Sequence, residues 1–206
     1  MAKKTKFDDA TLEAAKAKNA PRLKQQYEDV VRPKITEEFG VANPMAMPAL
    51  DKITINVNVG RHLDGTKVPA NVRDAVIHTL TTITGQKPVK IAAKKSVSNF
   101  KVREGYETAY KVTLRRDHMW HFMDRLINLA APRIKDFRGL NDTSFDRQGG
   151  YSVGVTEQGI FPEINMAEQS FTHGMNINFS FRNSDAKMSR FVLDQLGMPF
   201  RKPETA

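Results

Sequence analysis

"DKITINVNVG", residues 51–60, decides the fold class, because its side chains alternate without a break. Ile53, Ile55, Val57 and Val59 fall on one side of an extended chain, and Lys52, Thr54, Asn56 and Asn58 on the other. A period of two marks a half-buried strand. Its polar side carries two amides and a hydroxyl, groups that recognise rather than merely solvate.

The segments around it complete an alternation of strands and helices. "PANVRDAVIHTLTTITG" (69–85) places Val72, Val76, Leu80 and Ile83 at helical spacing and stops at Gly85. "KPVKIA" (87–92) reads as a short strand. "YETAYKVTLR" (106–115) is a second alternating strand, with Tyr106, Thr108, Tyr110, Val112 and Leu114 on one side and Lys111, Thr113 and Arg115 on the other. "RDHMWHFMDRLINLAAPR" (116–133) is an amphipathic helix with an apolar stripe of Met119, Phe122, Met123, Leu126, Ile127 and Ala130. Upstream, a helix is expected from Pro21 to about Phe39, with Gly40 as its stop and Pro33 bending or splitting it. Residues 135–150 read as an exposed, turn-rich hairpin or loop. Strands follow at 151–156 and at "MNINFSFR" (175–182), and Ser184 is expected to cap a last helix ending near Gly197. The fold class is α+β: a single domain over residues 21–206, mainly antiparallel sheet, with helices on one face and an open polar and basic face. Residues 1–20 read as a flexible extension.

Composition narrows the functional classes. The chain has 206 residues, no cysteine and a net charge of +9. Disulfide and thiolate chemistry are excluded, and a reducing compartment fits. No apolar run is long enough to span a membrane, no secretory core opens the chain, and Asp8, Asp9 and Glu13 argue against a transit peptide. The expectation is a cytoplasmic protein without a membrane partner. The charge is concentrated: residues 85–116 hold nine Lys or Arg against Glu104 and Glu107. Basic charge confined to one segment points to a polyanion, since neutralising phosphates releases counterions. Within it, "IAAKKSVSNFKVREGY" (91–106) interrupts its lysines with Ser96, Ser98, Asn99 and Phe100, groups that bond phosphate or ribose or stack on a base. A buried Phe100 anchoring the loop is the competing reading.

Catalytic and metal patterns are weaker. "GYSVG" (150–154) matches the G-x-S-x-G pattern of a nucleophilic serine, with His173 and Glu157, Glu163 or Glu168 downstream. That pattern needs a sharp strand-to-helix turn at Ser152, and "VGVTEQG" is a poor helix. An ordinary strand serine is the better reading. His118 and His121, with Asp117 or Asp124, share one helical side, but a solvated face explains them equally and no zinc motif is present. Neither a Walker loop nor a dinucleotide fingerprint occurs, so no cofactor and no metal is expected.

A set of ordered blocks carries a resemblance: "KITINVNVG", "TGQKPV", "KKSVSNFKVREGY", "YKVTLR", "MWHFMDRL", "PRIKDFRGL", "SFDRQGGYSVGVTEQGIFPEI" and "PFRK". From about residue 21 to 202 the chain resembles bacterial-type ribosomal protein five of the large subunit, the 5S rRNA binder. The resemblance implies a non-enzymatic structural protein of the central protuberance that holds 5S rRNA against the large-subunit (23S-type) rRNA. It implies 5S rRNA contacts at Asn56, Gln86 and Thr113, with Lys87, Lys111 and Arg115 as phosphate neighbours. It implies that the basic loop reaches peptidyl-site tRNA through Lys94, Lys95, Ser96, Asn99, Phe100, Lys101 and Arg103. Neighbouring ribosomal proteins, among them one of the small-subunit head, are further implied partners, the head contact falling near 133–150. Asn58 stands where the family has glycine, Asn165 where it has aspartate, and residues 166–175 match poorly.

Overall fold

The computed structural model describes residues 20–201, apart from 61, 63, 65, 66 and 170. The expected extension, but for residue 20, lies outside the described residues, as does the side chain of Glu168. Five strands form one antiparallel sheet: β1 (Ala49–Asn58), β2 (Val89–Ala92), β3 (Glu107–Leu114), β4 (Tyr151–Val155) and β5 (Met175–Arg182). Their order across the sheet is β2-β3-β1-β5-β4. The α+β fold expected from the alternating segments is the one observed. β1 is antiparallel to β3, which is antiparallel to β2, so β1 and β2 run parallel with β3 inserted between them. β1 thus has a hydrogen-bonded neighbour on each side.

Three helical regions and a C-terminal helix cover the underside. α1 (Arg22–Gln26) and α2 (Arg32–Phe39) are joined by a π-helical turn, Tyr27–Val31. α3 spans Ala70–Thr84, α4 spans Arg116–Arg125, and α5 spans Ala186–Gln195. α4 also runs into a π turn, Leu126–Ala130, followed by a 3-10 turn at Ala131–Arg133. Both π turns end two residues before a proline, Pro33 or Pro132. Proline lacks an N–H and crowds the carbonyl four residues back, and the wider turn absorbs both faults without ending the helix. Pro33 therefore neither splits nor stops the first helical region. Gly40, with φ of +67°, stops it in the left-handed conformation as expected.

The core is one cluster between sheet and helices. Ile53, Ile55, Val57, Tyr110, Val112, Leu114, Ile177 and Phe179 point down from the strands, against Val31, Ile35, Val76, Leu80, Phe122 and Leu193. Each such side chain contributes about 1.5–3 kcal/mol by leaving water. Trp120, absent from the expected stripe of α4, is also buried and lies 5.7 Å from the Tyr27 ring.

Two local expectations are corrected. α5 is capped by Asp185, whose Oδ1 accepts the Met188 N–H at 2.8 Å; Ser184 Oγ instead meets Ser189 Oγ at 2.7 Å. Residues 135–150 are not a free exposed loop. Phe145 packs on Tyr151 and Phe200, and Tyr151 donates its hydroxyl to the Asn141 carbonyl at 2.7 Å. The C-terminal segment is strapped across Leu140 by two backbone hydrogen bonds. Gly139 permits the strap: its φ is +97°, and a Cβ there would stand 2.6 Å from the Arg201 backbone.

Candidate nucleic-acid interface

Antiparallel pairing places residues directly opposite each other on the same face. The register therefore assembles the upper face row by row. One row reads Val89, Lys111, Asn56, Asn176, Gly154 from edge to edge. The next reads Thr113, Thr54, Asn178, Ser152. At strand spacing, the longer row is about 20 Å wide. Helices leave this face open, so amides, hydroxyls and a lysine are presented at fixed spacing by strands whose undersides are locked in the core. Asn56 Oδ1, at the centre, is shielded from solvent and receives no hydrogen bond within the protein. A buried acceptor without a donor is costly, which makes it a demand on a partner.

The register unites Asn56, Lys111 and Thr113 of the expected site. Asn176, Asn178 and Ser152 share the same rows and were not among the expected contacts, although the alternation of "MNINFSFR" displays the two asparagines. Gln86 and Lys87 sit in the turn before β2. Because β2 and β3 diverge antiparallel from the pair Val89–Lys111, that turn lies at the Thr113–Arg115 end of the sheet. Thr84 Oγ1 holds the turn by accepting the Gln86 N–H at 3.2 Å and donating to the Gln86 carbonyl at 3.1 Å. Gln86 is half-buried; Lys87 and Arg115 are exposed.

The basic loop projects from the other end of β2 and β3. It is a narrow hairpin: Ala93 is bonded to both Tyr106 and Gly105, and Val97 and Val102 exchange both backbone hydrogen bonds. Ser96 Oγ accepts the Glu104 N–H at 2.9 Å. Ser98–Phe100 form a 3-10 turn, and Lys101 takes the left-handed conformation, φ +52°, to close the tip. Phe100 is 73% exposed, so the anchoring reading of this ring fails within the chain. Lys94, Lys95, Ser96, Asn99, Lys101 and Arg103 are exposed as well.

Charge at the hairpin base is already neutralised. Lys90 Nζ lies 2.6 Å from Glu107 Oε1, and the Tyr110 hydroxyl donates to Glu107 Oε2 at 2.7 Å. The Lys90 ammonium, then the Tyr110 hydroxyl, hold the Glu107 carboxyl below the usual range, while burial and that carboxylate push the Tyr110 phenol up. By contrast, Lys87, Lys94, Lys95, Lys101, Arg103, Lys111 and Arg115 form no ion pair with any described residue.

The catalytic and metal patterns dissolve in this geometry. Ser152 lies within β4 beside Asn178, and the chain stays extended to Val155 instead of turning into a helix. Glu163 is paired with Arg125, which also donates to the Ile83 carbonyl. His118 and His121 are exposed; Asp117 pairs with Lys24 and Asp124 with Arg22. Among the described residues no group of three or more metal-ligating side chains gathers, and no helix is long and apolar enough to cross a membrane.

What fold and surface define is a single-sheet α+β binding protein that works through an open sheet face and a basic hairpin rather than a catalytic cleft. Comparison with known proteins makes this specific. The family described as Ribosomal protein L5 matches residues 43–103, and the model of the same ribosomal family's C-terminus matches residues 107–200. The large ribosomal subunit protein uL5 of Rippkaea orientalis is 46% identical over 180 residues, covering 87% of this chain and 98% of the relative. That of Campylobacter hominis is 45% identical over 181 residues, 88% and 98% of the two chains. That of Anaeromyxobacter sp. (strain Fw109-5) is 43% identical over 183 residues, 89% and 99%. The chain belongs to the ribosomal protein L5 family, a family of structural proteins and not of enzymes.

Proposed function

We propose that this chain, a structural constituent of the large ribosomal subunit in the cytoplasm, binds 5S rRNA with its open sheet face and attaches it to the large-subunit rRNA. Residues 21–206 form the binding unit, and residues 1–20 are an appended extension. Asn56, Gln86 and Thr113 hydrogen-bond the 5S rRNA, while Lys87, Lys111 and Arg115 neutralise its phosphates. The hairpin carries a second role, touching peptidyl-site tRNA through Lys94, Lys95, Ser96, Asn99, Phe100, Lys101 and Arg103. Neighbouring ribosomal proteins complete the surroundings, with residues 133–150 facing the small-subunit head.

The observation that carries the reading is the row in which Asn56, with its unanswered Oδ1, stands between Lys111 and Asn176. Acceptors and donors fixed by a strand ladder suit one rigid RNA shape. The tip has the opposite character: exposed, cationic and built on few hydrogen bonds, it suits backbone contact with a substrate that must leave. The test is binding of the purified chain to 5S rRNA across a salt series, with structured RNA of equal length as competitor. A preference for 5S rRNA that survives moderate salt is expected. Equal binding to both RNAs, collapsing together as salt rises, would reduce the reading to charge alone.

A further inference from the structure

At the Asn58 end of β1 the open face dips into a cleft of about 430 Å³, within the size range of sites for small molecules. Asn56, Asn58, Asn176, Thr156, His62 and His173 are among its lining residues. Two of them bring polar atoms that are buried and unpartnered: Asn56 Oδ1 and His173 Nε2. Two such atoms at one cleft are unusual, because buried polar groups are paired almost without exception.

The chemistry of the histidine follows from its surroundings. His173 is 6% exposed, and burial lowers its pKa, so the ring is neutral at pH 7. Its Nδ1 lies 3.3 Å from the Gly174 carbonyl oxygen, which can only accept. The proton therefore belongs on Nδ1, and Nε2 is left as a bare acceptor. The cleft thus offers two acceptors, Nε2 and the Asn56 carbonyl oxygen, and asks its occupant for donors.

The wall that holds His173 is built. Fully buried Gln158 accepts the His173 N–H at 2.7 Å through Oε1 and donates Nε2 to the Phe171 carbonyl at 2.7 Å. Phe171 stacks on the His173 ring at 6.0 Å and meets His62 edge-on at 4.7 Å. Gly174 passes so close to β4 that a Cβ would lie 2.7 Å from the Val155 carbonyl. The result is a fixed imidazole beside a polar floor, in the stretch where the sequence matches the family blocks poorly.

We infer that this cleft receives one unstacked nucleotide of the bound RNA, with a base bearing an exocyclic amine (adenine, cytosine or guanine) in preference to uracil. The inference rests on the RNA-binding reading of the sheet face and names one nucleotide-sized contact within it. The amine donates to one acceptor, a second base donor or a 2′-hydroxyl to the other, and an imidazole ring supplies a stacking surface.

The experiment uses the full chain with 5S rRNA, probed with dimethyl sulfate, which reports the pairing edges of adenine and cytosine. Wild type is expected to protect at least one unpaired adenine or cytosine that stays reactive in the complex with His173→Phe. That variant is expected to bind about tenfold more weakly with an unchanged salt slope, since no charge is removed. Identical protection by both proteins overturns the inference while leaving the sheet-face reading intact; a wild type that binds no RNA overturns both. A second measurement needs no variant: the His173 and His62 imidazole signals of the wild-type chain, followed by NMR during titration with AMP and with UMP. AMP is expected to move them at concentrations where UMP does not, and equal or absent shifts count against the cleft. Tight AMP binding without any 5S rRNA protection would assign the cleft to a free nucleotide and overturn the RNA source.

Discussion

The sheet face and the hairpin tip are both polar, and they grow from the same pair of strands, yet they are held in opposite ways. Asn56, Lys111 and Thr113 stand on strands whose next residues, Ile55, Val112 and Leu114, are buried in the core. Their positions cannot move unless the core does. The tip from Ser98 to Lys101 is tied by the Val97–Val102 exchange and the Ser96–Glu104 hydrogen bond, and nothing apolar lies beneath it. The difference teaches how one small protein can serve two kinds of ligand. Geometry that cannot relax gives specificity, while unpaired charge on a thin stem gives attraction without shape.

The contrast breaks most visibly in stability. Ile55→Ala, at a fully buried site on the central strand, should cost about 2–5 kcal/mol in denaturant unfolding. Phe100→Ala should stay within about 0.5 kcal/mol, as exposed positions do. Equal losses would make the tip part of the core and end the distinction. Next in size, Thr113→Val should weaken 5S rRNA binding by about 1–3 kcal/mol, read by filter binding or calorimetry, because its RNA partner is left unpaired. Affinity within error of wild type would remove Thr113 from the site. Lys94→Ala combined with Lys95→Ala should leave 5S rRNA affinity nearly unchanged but speed tRNA loss from the peptidyl site of assembled ribosomes. Mutant ribosomes that retain tRNA normally would leave the hairpin without its proposed ligand.

The smallest effect sits where the two regions meet. The folded-state pKa of Glu107 is depressed, so its stabilisation is present above the ordinary carboxylate pKa and is lost as pH falls through the lowered value. Solvent screens the Lys90–Glu107 pair, which limits the worth of Glu107→Gln at neutral pH to about 0.5 kcal/mol. Stability curves for wild type and variant should converge on acidification. A gap that persists at low pH would point to packing rather than charge.

Much of this contrast was legible in the sequence. Alternation assigned every core-facing residue of β1 and the polar residues opposite them, because a half-buried strand must write its two faces in turn. Concentrated charge marked the loop. Register was not legible, since alternation within a strand says nothing about which residue lies across from it, and so the row linking Asn56 to Asn176 emerged only from the fold. Trp120 escaped for a related reason: it sits off the regular stripe of α4, and its burial depends on Tyr27 from a distant helical segment. The packing of residues 135–150 also rests on distant partners, Phe200 and the Arg201 backbone, which no local pattern announces. His173 carries no local signal either; its role as an acceptor follows from Gln158 and Gly174 around it.

The central place of β1 has a consequence for how the protein is made. One neighbour, β3, follows within about sixty residues, but the other, β5, is synthesised only near the end of the chain. At ordinary translation rates the interval between β1 and β5 is on the order of ten seconds. Through that time the nascent sheet carries an unpaired edge along its most apolar strand, the kind of edge that templates aggregation. The late strand that completes the amide row also closes this edge, so finishing the RNA-facing surface and becoming safe in a crowded cell are the same event.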